Sequence, residues 1–492
     1  MAINTKKAGL LCPVFSVPGN QGIGDFGKKT ERMIDIIREN GYSIWQILPI
    51  QFTGDTNSPY QTLSSFAGDP IYINLDKLAE MGLLKQSSIK NCNKFSNYVN
   101  YQEVRQFKEE YFVRAFKVFK KEFKSFSEDF EIFKSNAFWL EDWSLFYLFR
   151  TLHNGLPWNE WDEEYREYTK DKEALDLSEY EDELFYFQFL QFIFYKQLDD
   201  IVLYAHSVGL EIMGDVPFYV NHDSADVWTH RQDFLLDEDG NAKFVAGCPP
   251  DYFNSEGQRW GMPIYNFKAQ RQDGFTFWCK RIQWIRRYFD VIRIDHFRAM
   301  DTYWKIPVTS FTAKDGIWTI APGKELLQKI IETNPGVKLV ADDLGMIRKE
   351  VKELEEQFGI PGMIVLLFHL ETKTLKTEIP ESNVLYTGTH DNQTANQVYS
   401  ELDNNKKTTL RRFFKKLYNE RDFSSLLCRY ALDSNARLVI LPIWDICGLK
   451  KEARINQPGI VNKNNWTWKL KDFKTFPAKV EKTKAWIQES NR

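Results

Sequence analysis

Val291-Ile292-Arg293-Ile294-Asp295-His296-Phe297 is a short apolar run that turns abruptly to charge at its C-terminal end. A run of branched apolar residues without polar alternation reads as a parallel strand buried on both faces. Seven further runs share this character: 9–15, 44–50, 210–217, 338–344, 363–368, 384–389 and 437–443. Helix-like segments such as 28–40 and 275–288 alternate with them. Buried strands alternating with helices predict an α/β fold, here a (β/α)8 TIM barrel. The competing arrangement is an open doubly wound sheet, which gathers its chemistry at one switch point. In this chain carboxylates and histidines follow several different strands, and that favours the closed barrel.

The spacing of the runs is uneven. The long stretch between Ile50 and Leu210 predicts an insertion over about 51–205, rich in Phe, Tyr, Glu and Lys, with helical periodicity in 101–126 and 137–152. A second insertion, about 221–274, follows the third strand, carries Gly, Pro, Trp and Tyr in loop-like order, and is expected to lie over the cleft. No repeat or low-complexity linker divides the chain, so 1–492 reads as one catalytic barrel bearing both insertions.

Hydrophobic residues make up 43% and charged residues 27%, and 64 basic against 68 acidic residues leave a net charge of −4. Neither sign dominates, which gives no support to a nucleic-acid or anionic-membrane partner. The 38 Phe, 22 Tyr and 15 Trp predict an aromatic core, with some rings free to act as platforms for the apolar C–H face of a pyranose. Six scattered Cys without metal-ligand spacing read as reduced thiols of a cytoplasmic protein. The first residues, broken by Pro13, do not read as a signal peptide. No run reaches the roughly 18 apolar residues of a membrane span.

Four strand ends carry the chemistry. The third reads Gly214-Asp215-Val216-Pro217, the fourth Arg293-Ile294-Asp295-His296, the fifth Ala341-Asp342-Asp343-Leu344-Gly345, and the seventh Gly388-Thr389-His390-Asp391-Asn392. In a barrel these ends converge on one face. Singly, each Asp would more often be a cap or a loop residue; jointly they suit glycosidic bond chemistry. A retaining enzyme needs one carboxylate to attack the anomeric carbon and one carboxylic acid to protonate the departing oxygen, about 5–5.5 Å apart. A further carboxylate favours the oxocarbenium-like transition state, and mutual repulsion keeps one acid protonated. Arg293 projects to the same side as Asp295 and could hold it ionised. A divalent metal held by the carboxylates and histidines is the rival reading; a fixed cation at Arg293 argues against it.

These residues resemble the 4-α-glucanotransferase family, also called amylomaltase or disproportionating enzyme, of glycoside hydrolase family 77 and related to the α-amylases. The resemblance runs from Gly9 to about Lys469 and is weakest in the helical insertion. It is carried by Ser58-Pro59-Tyr60-Gln61, Ser64, Phe66-Ala67-Gly68, Gly214-Asp215-Val216-Pro217 with Asp226 and Trp228, and Pro249-Pro250-Asp251-Tyr252-Phe253. Gly257-Gln258-Arg259-Trp260-Gly261, Arg293–Arg298, Asp343-Leu344-Gly345 and Thr387–Asp391 continue it. Ala453-Arg454-Ile455-Asn456, Pro458-Gly459 and Asn465-Trp466 close it. The resemblance implies Asp295 as nucleophile, Asp391 as transition-state stabiliser, and His296 and His390 as ligands to sugar hydroxyls. It implies Arg293 as partner of the nucleophile, Asp215 and Tyr60 as donor-site contacts with Tyr60 stacking, and Gln258 and Trp260 in a loop that helps an acceptor sugar compete with water.

One departure is informative. The family reads Ala-Glu-Asp-Leu-Gly after the fifth strand, with the Glu as general acid/base; here Asp342 stands in that place, one methylene shorter. Asp342 is read as a native acid/base with a compensating backbone shift, as an attenuating change, or as the mark of a chain that only binds glucan. Asp343 is a poor substitute, because adjacent strand residues face opposite ways. Trp444, Lys469 and Met262 stand where Gln, Arg and Asn are more usual in the family. The expected reaction moves α-1,4-glucan segments between maltooligosaccharides, amylose or glycogen-derived dextrins, with glucose as an acceptor and no metal or organic cofactor. An amylase-like hydrolase and a non-catalytic glucan-binding protein are the alternatives.

Overall fold

The computed structural model describes residues 5–54, 56–92, 96–170, 175–250, 255–375 and 377–492. Among these residues twelve strands form: β1 (Lys7–Leu11), β2 (Ile44–Gln46), β3 (Glu211–Val216), β4 (Phe244–Cys248), β5 (Gln258–Pro263), β6 (Val291–Ile294), β7 (Thr302–Pro307), β8 (Ile317–Ile320), β9 (Leu339–Ala341), β10 (Met363–Val365), β11 (Val384–Tyr386) and β12 (Leu438–Pro442). Eight of them make one parallel sheet in the order β10-β11-β12-β1-β2-β3-β6-β9. The first strand pairs with the last, Lys7 opposite Leu438, so the chain's two ends meet within the sheet.

The remaining seam, between β9 and β10, is closed without a regular ladder. The Ala341 amide donates to the Pro361 carbonyl at 2.9 Å. Just past β9, the Asp343 carboxylate accepts the Met363 amide at 2.6 Å and pairs with Lys352. These contacts close the ring into the (β/α)8 barrel. The apolar runs form strands because both faces are covered: every residue of β2, β6, β9, β11 and β12 is buried. The packing outside β3 is close enough that a Cβ on Gly214 would lie 2.0 Å from the Phe289 ring.

Between β2 and β3 the chain is helical, with long helices at Tyr101–Lys121, Leu140–Leu152 and Glu181–Ser207. Asn100 caps the first of these, accepting the Glu103 amide at 3.3 Å while its own amide reaches the Glu103 carboxylate. Phe119 packs among Phe123, Phe126, Phe130, Phe185, Phe189 and Phe192, so much of the aromatic content is core. Two buried glutamines of Glu181–Ser207 grip the loop that follows β2. Gln191 accepts from and donates to the backbone of Gly68 (2.8 and 2.9 Å), and Gln197 does the same at Asn74 (2.7 and 3.1 Å). Arg105 adds a two-pronged bond to Asp69 at 2.8 and 2.7 Å.

The 221–274 stretch, expected to be loop-rich, contains β4 and β5. They join β7 and β8, which follow β6, in an antiparallel sheet of order β5-β4-β7-β8. Local patterning misses this sheet because its halves come from two separate excursions of the chain. Among the described residues, no helix is long and apolar enough to cross a membrane.

The seam makes a stability prediction. Asp343→Ala removes the acceptor of the Met363 amide and a partner of Lys352, and a buried donor left unpaired costs about 1–3 kcal/mol. Its denaturation midpoint should fall clearly, while Asp343→Asn, which keeps an acceptor oxygen, should fall less. An unchanged midpoint in the alanine variant would show that the seam is held elsewhere.

Candidate active site

The barrel geometry sets the site from its floor upward. β3 and β6 are neighbours with Asp215 opposite Arg293 in register, so a carboxylate and a guanidinium lie side by side. Arg293 Nη1 donates to Asp215 at 2.5 Å and to Asp295 at 3.2 Å, and Nη2 donates to Asp342 at 2.8 Å. One guanidinium, 3% exposed, therefore collects carboxylates from the ends of three adjacent strands. Arg293 and Asp215 lie beneath the cleft, while Asp295, Asp342 and Asp391 line it.

Backbone contacts hold these ends in place. The Asp295 amide continues the ladder to the Val216 carbonyl, and the Asp342 amide bonds the Ile294 carbonyl. His296 takes a left-handed conformation, φ +50°, with its amide aimed at Asp342 (3.2 Å). That conformation costs a non-glycine residue about 1–2 kcal/mol, and it is found here where the turn delivers an amide to a carboxylate.

Electrostatics separate the two central acids. Burial drives Asp295 well above the usual carboxylate range, and Asp342, Asp215 and Asp391 add to this against the pull of Arg293. Burial also pushes Asp342 upward, but Arg293 first and then the His296 amide outweigh it and hold it below the usual range. Burial lowers His296 to about 4, and His390 is lowered for the same reason, so both are neutral at pH 7. The two shifts work in one direction: they favour a proton on Asp295 over one on Asp342.

Tyr60 comes from the loop gripped by the glutamines. Its hydroxyl donates to Asp215 at 2.7 Å, and its ring stacks on His390 with centroids 5.2 Å apart. Burial, with Asp215 next, raises its pKa well above 10. Asp391 follows β11 in a turn tied by Asn392, which accepts the Thr389 amide at 2.8 Å. Asn456 then donates to the Asp391 carboxylate at 2.7 Å and sends its own amide to the His390 carbonyl.

The opposite wall is β5. Trp260 donates to the Gln258 side chain at 3.1 Å and meets His296 edge-on, centroids 4.9 Å apart. The cleft has a volume of about 390 Å³. Of the residues singled out in the sequence, Tyr60, Gln258, Trp260, Asp295, His296, Asp342, His390 and Asp391 line it together. Asp215 and Arg293 are brought to the same place one layer deeper.

Sequence reading missed Tyr219, Asn456 and Trp466, which also line the cleft. Asn456 and Trp466 stand in motifs quoted for the resemblance, but they lie on a loop that no strand periodicity places. Of the three departures, Met262 lines the cleft, Trp444 packs edge-on to Trp468 and Lys469 is fully buried. Asp343 faces away from the cleft, into the seam. Asp251, Tyr252 and Phe253 lie outside the described residues.

Comparison with known proteins agrees along the whole chain. The family model for 4-alpha-glucanotransferase matches residues 12–475. The 4-alpha-glucanotransferase of Aquifex aeolicus is 37% identical, covering 95% of this chain and 96% of that one. That of Thermus thermophilus is 36% identical, covering 98% of each. The structure of the amylomaltase from Streptococcus agalactiae in complex with acarbose superposes with a TM-score of 0.93 at 30% identity over 99% of both chains. By family model, relatives and fold, the chain belongs to the 4-alpha-glucanotransferase (amylomaltase) family of enzymes acting on α-1,4-glucans.

Proposed function

We propose that the chain transfers α-1,4-glucan segments by a retaining double displacement through a glucosyl ester on Asp295. The observation that carries the proposal is the joint placement of Asp295, Asp342 and Asp391 around one cleft, with the first two sharing Arg293. In the first half-reaction Asp342 gives its proton to the glycosidic oxygen, the bond from C1 to that oxygen breaks, and an Asp295 oxygen bonds C1. The reducing-end fragment leaves. In the second, the 4-hydroxyl of an acceptor glucan or of glucose gives its proton to Asp342 and attacks C1, which frees Asp295. Asp391 lies across the cleft to offset the positive charge that develops at C1. The chemistry calls for no metal or organic cofactor.

Tyr60, His296, His390, Gln258 and Trp260 bind the sugars in this reading, and Arg293 and Asp215 act as positioning residues. Maltooligosaccharides, amylose and glycogen-derived dextrins are the donors; a bound acarbose in the S. agalactiae relative supports an oligosaccharide in this cleft. Six cysteines, none of them in a disulfide among the described residues, support a cytoplasmic setting.

Asp342 makes the enzyme slow. The mechanism needs Asp295 ionised and Asp342 protonated, yet Arg293 and the His296 amide favour the opposite placement of the shared proton. Within the singly protonated range the active arrangement is a minor tautomer, so pH does not change its share. The kcat/KM profile should therefore be bell-shaped with a low plateau. A Glu reaches one methylene farther and restores roughly 1 Å of position, a displacement that costs up to about 100-fold in rate.

Asp342→Glu should raise kcat/KM about 10- to 100-fold on maltotriose, raising the plateau of the profile. Both forms should yield glucose plus longer oligomers. Shortening alone would mean a hydrolase; binding without product from either form would mean a glucan-binding protein.

Asn456 supplies a second prediction. Asn456→Ala frees the Asp391 carboxylate without touching the Arg293 cluster. It should lower kcat about tenfold with KM nearly unchanged, as expected when a transition-state interaction is weakened. An equal rise in KM with kcat intact would instead place Asp391 in ground-state binding.

A further inference from the structure

Among the described residues, Trp318 is the one exposed tryptophan, at 41%. It lies on β8, the outer strand of the small antiparallel sheet. One face of its ring is covered by the Arg298 guanidinium, 3.7 Å from the centroid, and Trp304 packs against it at 5.0 Å and 63°. Arg298 is only 8% exposed, and its Nε has no hydrogen-bond partner. A buried cation is thus held behind an indole that solvent reaches.

The strand around this ring is unusual for an edge. Proteins blunt sheet edges with charge or proline, but Ile317-Trp318-Thr319-Ile320 carries neither, and Ile317 and Ile320 are 56% and 78% exposed. Phe311, on the approach to β8, is fully exposed. Trp318 and Ile320 share one face of the strand, and large apolar side chains exposed together mark an interaction site.

The occupant follows from what the patch adjoins. Arg298 stands in the turn Phe297–Met300, directly after His296 of the cleft. Cleft wall, Arg298 and Trp318 therefore form one continuous structure. An α-1,4-linked chain coils and presents C–H-lined ring faces, which suit a flat indole with Ile320 on the same face of the strand. We infer that Trp318 is the platform of an outlying subsite for the part of a long α-1,4-glucan that extends beyond the cleft. This rests on the glucan-transfer reading above.

The test compares chain lengths. Trp318→Ala should raise KM for soluble amylose about tenfold, the size of one ring face removed from water, against less than twofold for maltotriose. Trp318→Tyr, which keeps a flat ring, should recover most of the difference and controls for loosening of β8. Calorimetry of maltoheptaose binding to Asp295→Asn, with and without Trp318→Ala, reads the platform without turnover. If the native chain makes no transfer product, the transfer reading fails, while calorimetry still judges the subsite. Equal KM changes for long and short substrates, or unchanged maltoheptaose binding, would overturn it. So would a dimer that dissociates in Trp318→Ala with glucan affinity intact, since β8 would then be a surface for a second copy.

Discussion

The bonds from the Arg293 guanidinium to Asp215, Asp295 and Asp342 are the constraint around which the site is built. Taking charges out of water costs several kcal/mol per ion, and only good geometry with satisfied hydrogen bonds offsets it. Here three strand ends supply the acceptors, so the cation is stable in place only when β3, β6 and β9 are adjacent. The arrangement ties the carboxylate cluster to the pairing of these three strands. It also leaves more carboxylates than cations in one pocket, which sets the environments of Asp295 and Asp342 apart.

Much of the rest of the molecule serves to keep that pocket's rim in place. The glutamine clamps at Gly68 and Asn74 fix the loop that brings Tyr60 to Asp215. Asn456 ties the returning tail to Asp391, and β5 leans Trp260 against His296. Each contact is modest, and a net hydrogen bond is worth about 1 kcal/mol. Together they convert mobile connections into walls of fixed shape.

The barrel was legible because its strands are buried on both faces and so appear as apolar runs. Their lengths were not: 44–50 was read as one strand, whereas β2 stops at Gln46. Ile47 still donates its amide to Met213 of β3, and Leu48 and Ile50 beyond it are buried although they belong to no strand. The carboxylates could be read from strand ends, since alternation places Arg293 and Asp295 on one side. The layering could not: Asp215 stands within β3 and not in the loop after it, and its carboxylate meets Tyr60 and Arg293. The small sheet and the Asn456–Trp466 loop escaped altogether, since both depend on contacts between distant parts of the chain.

The pairing of β1 with β12 has a consequence for how the protein is made. Residues from Thr56 to Trp466 line the cleft, and the first strand finds its second neighbour only at Leu438–Pro442. A chain emerging from the ribosome therefore carries β1 with one open edge until nearly all of it has been synthesised, and such an edge is a template for wrong pairing. No N-terminal fragment holds a complete glucan cleft. A truncation before Trp466 removes part of the cleft lining, and one before Leu438 also takes away the strand that β1 and β11 share.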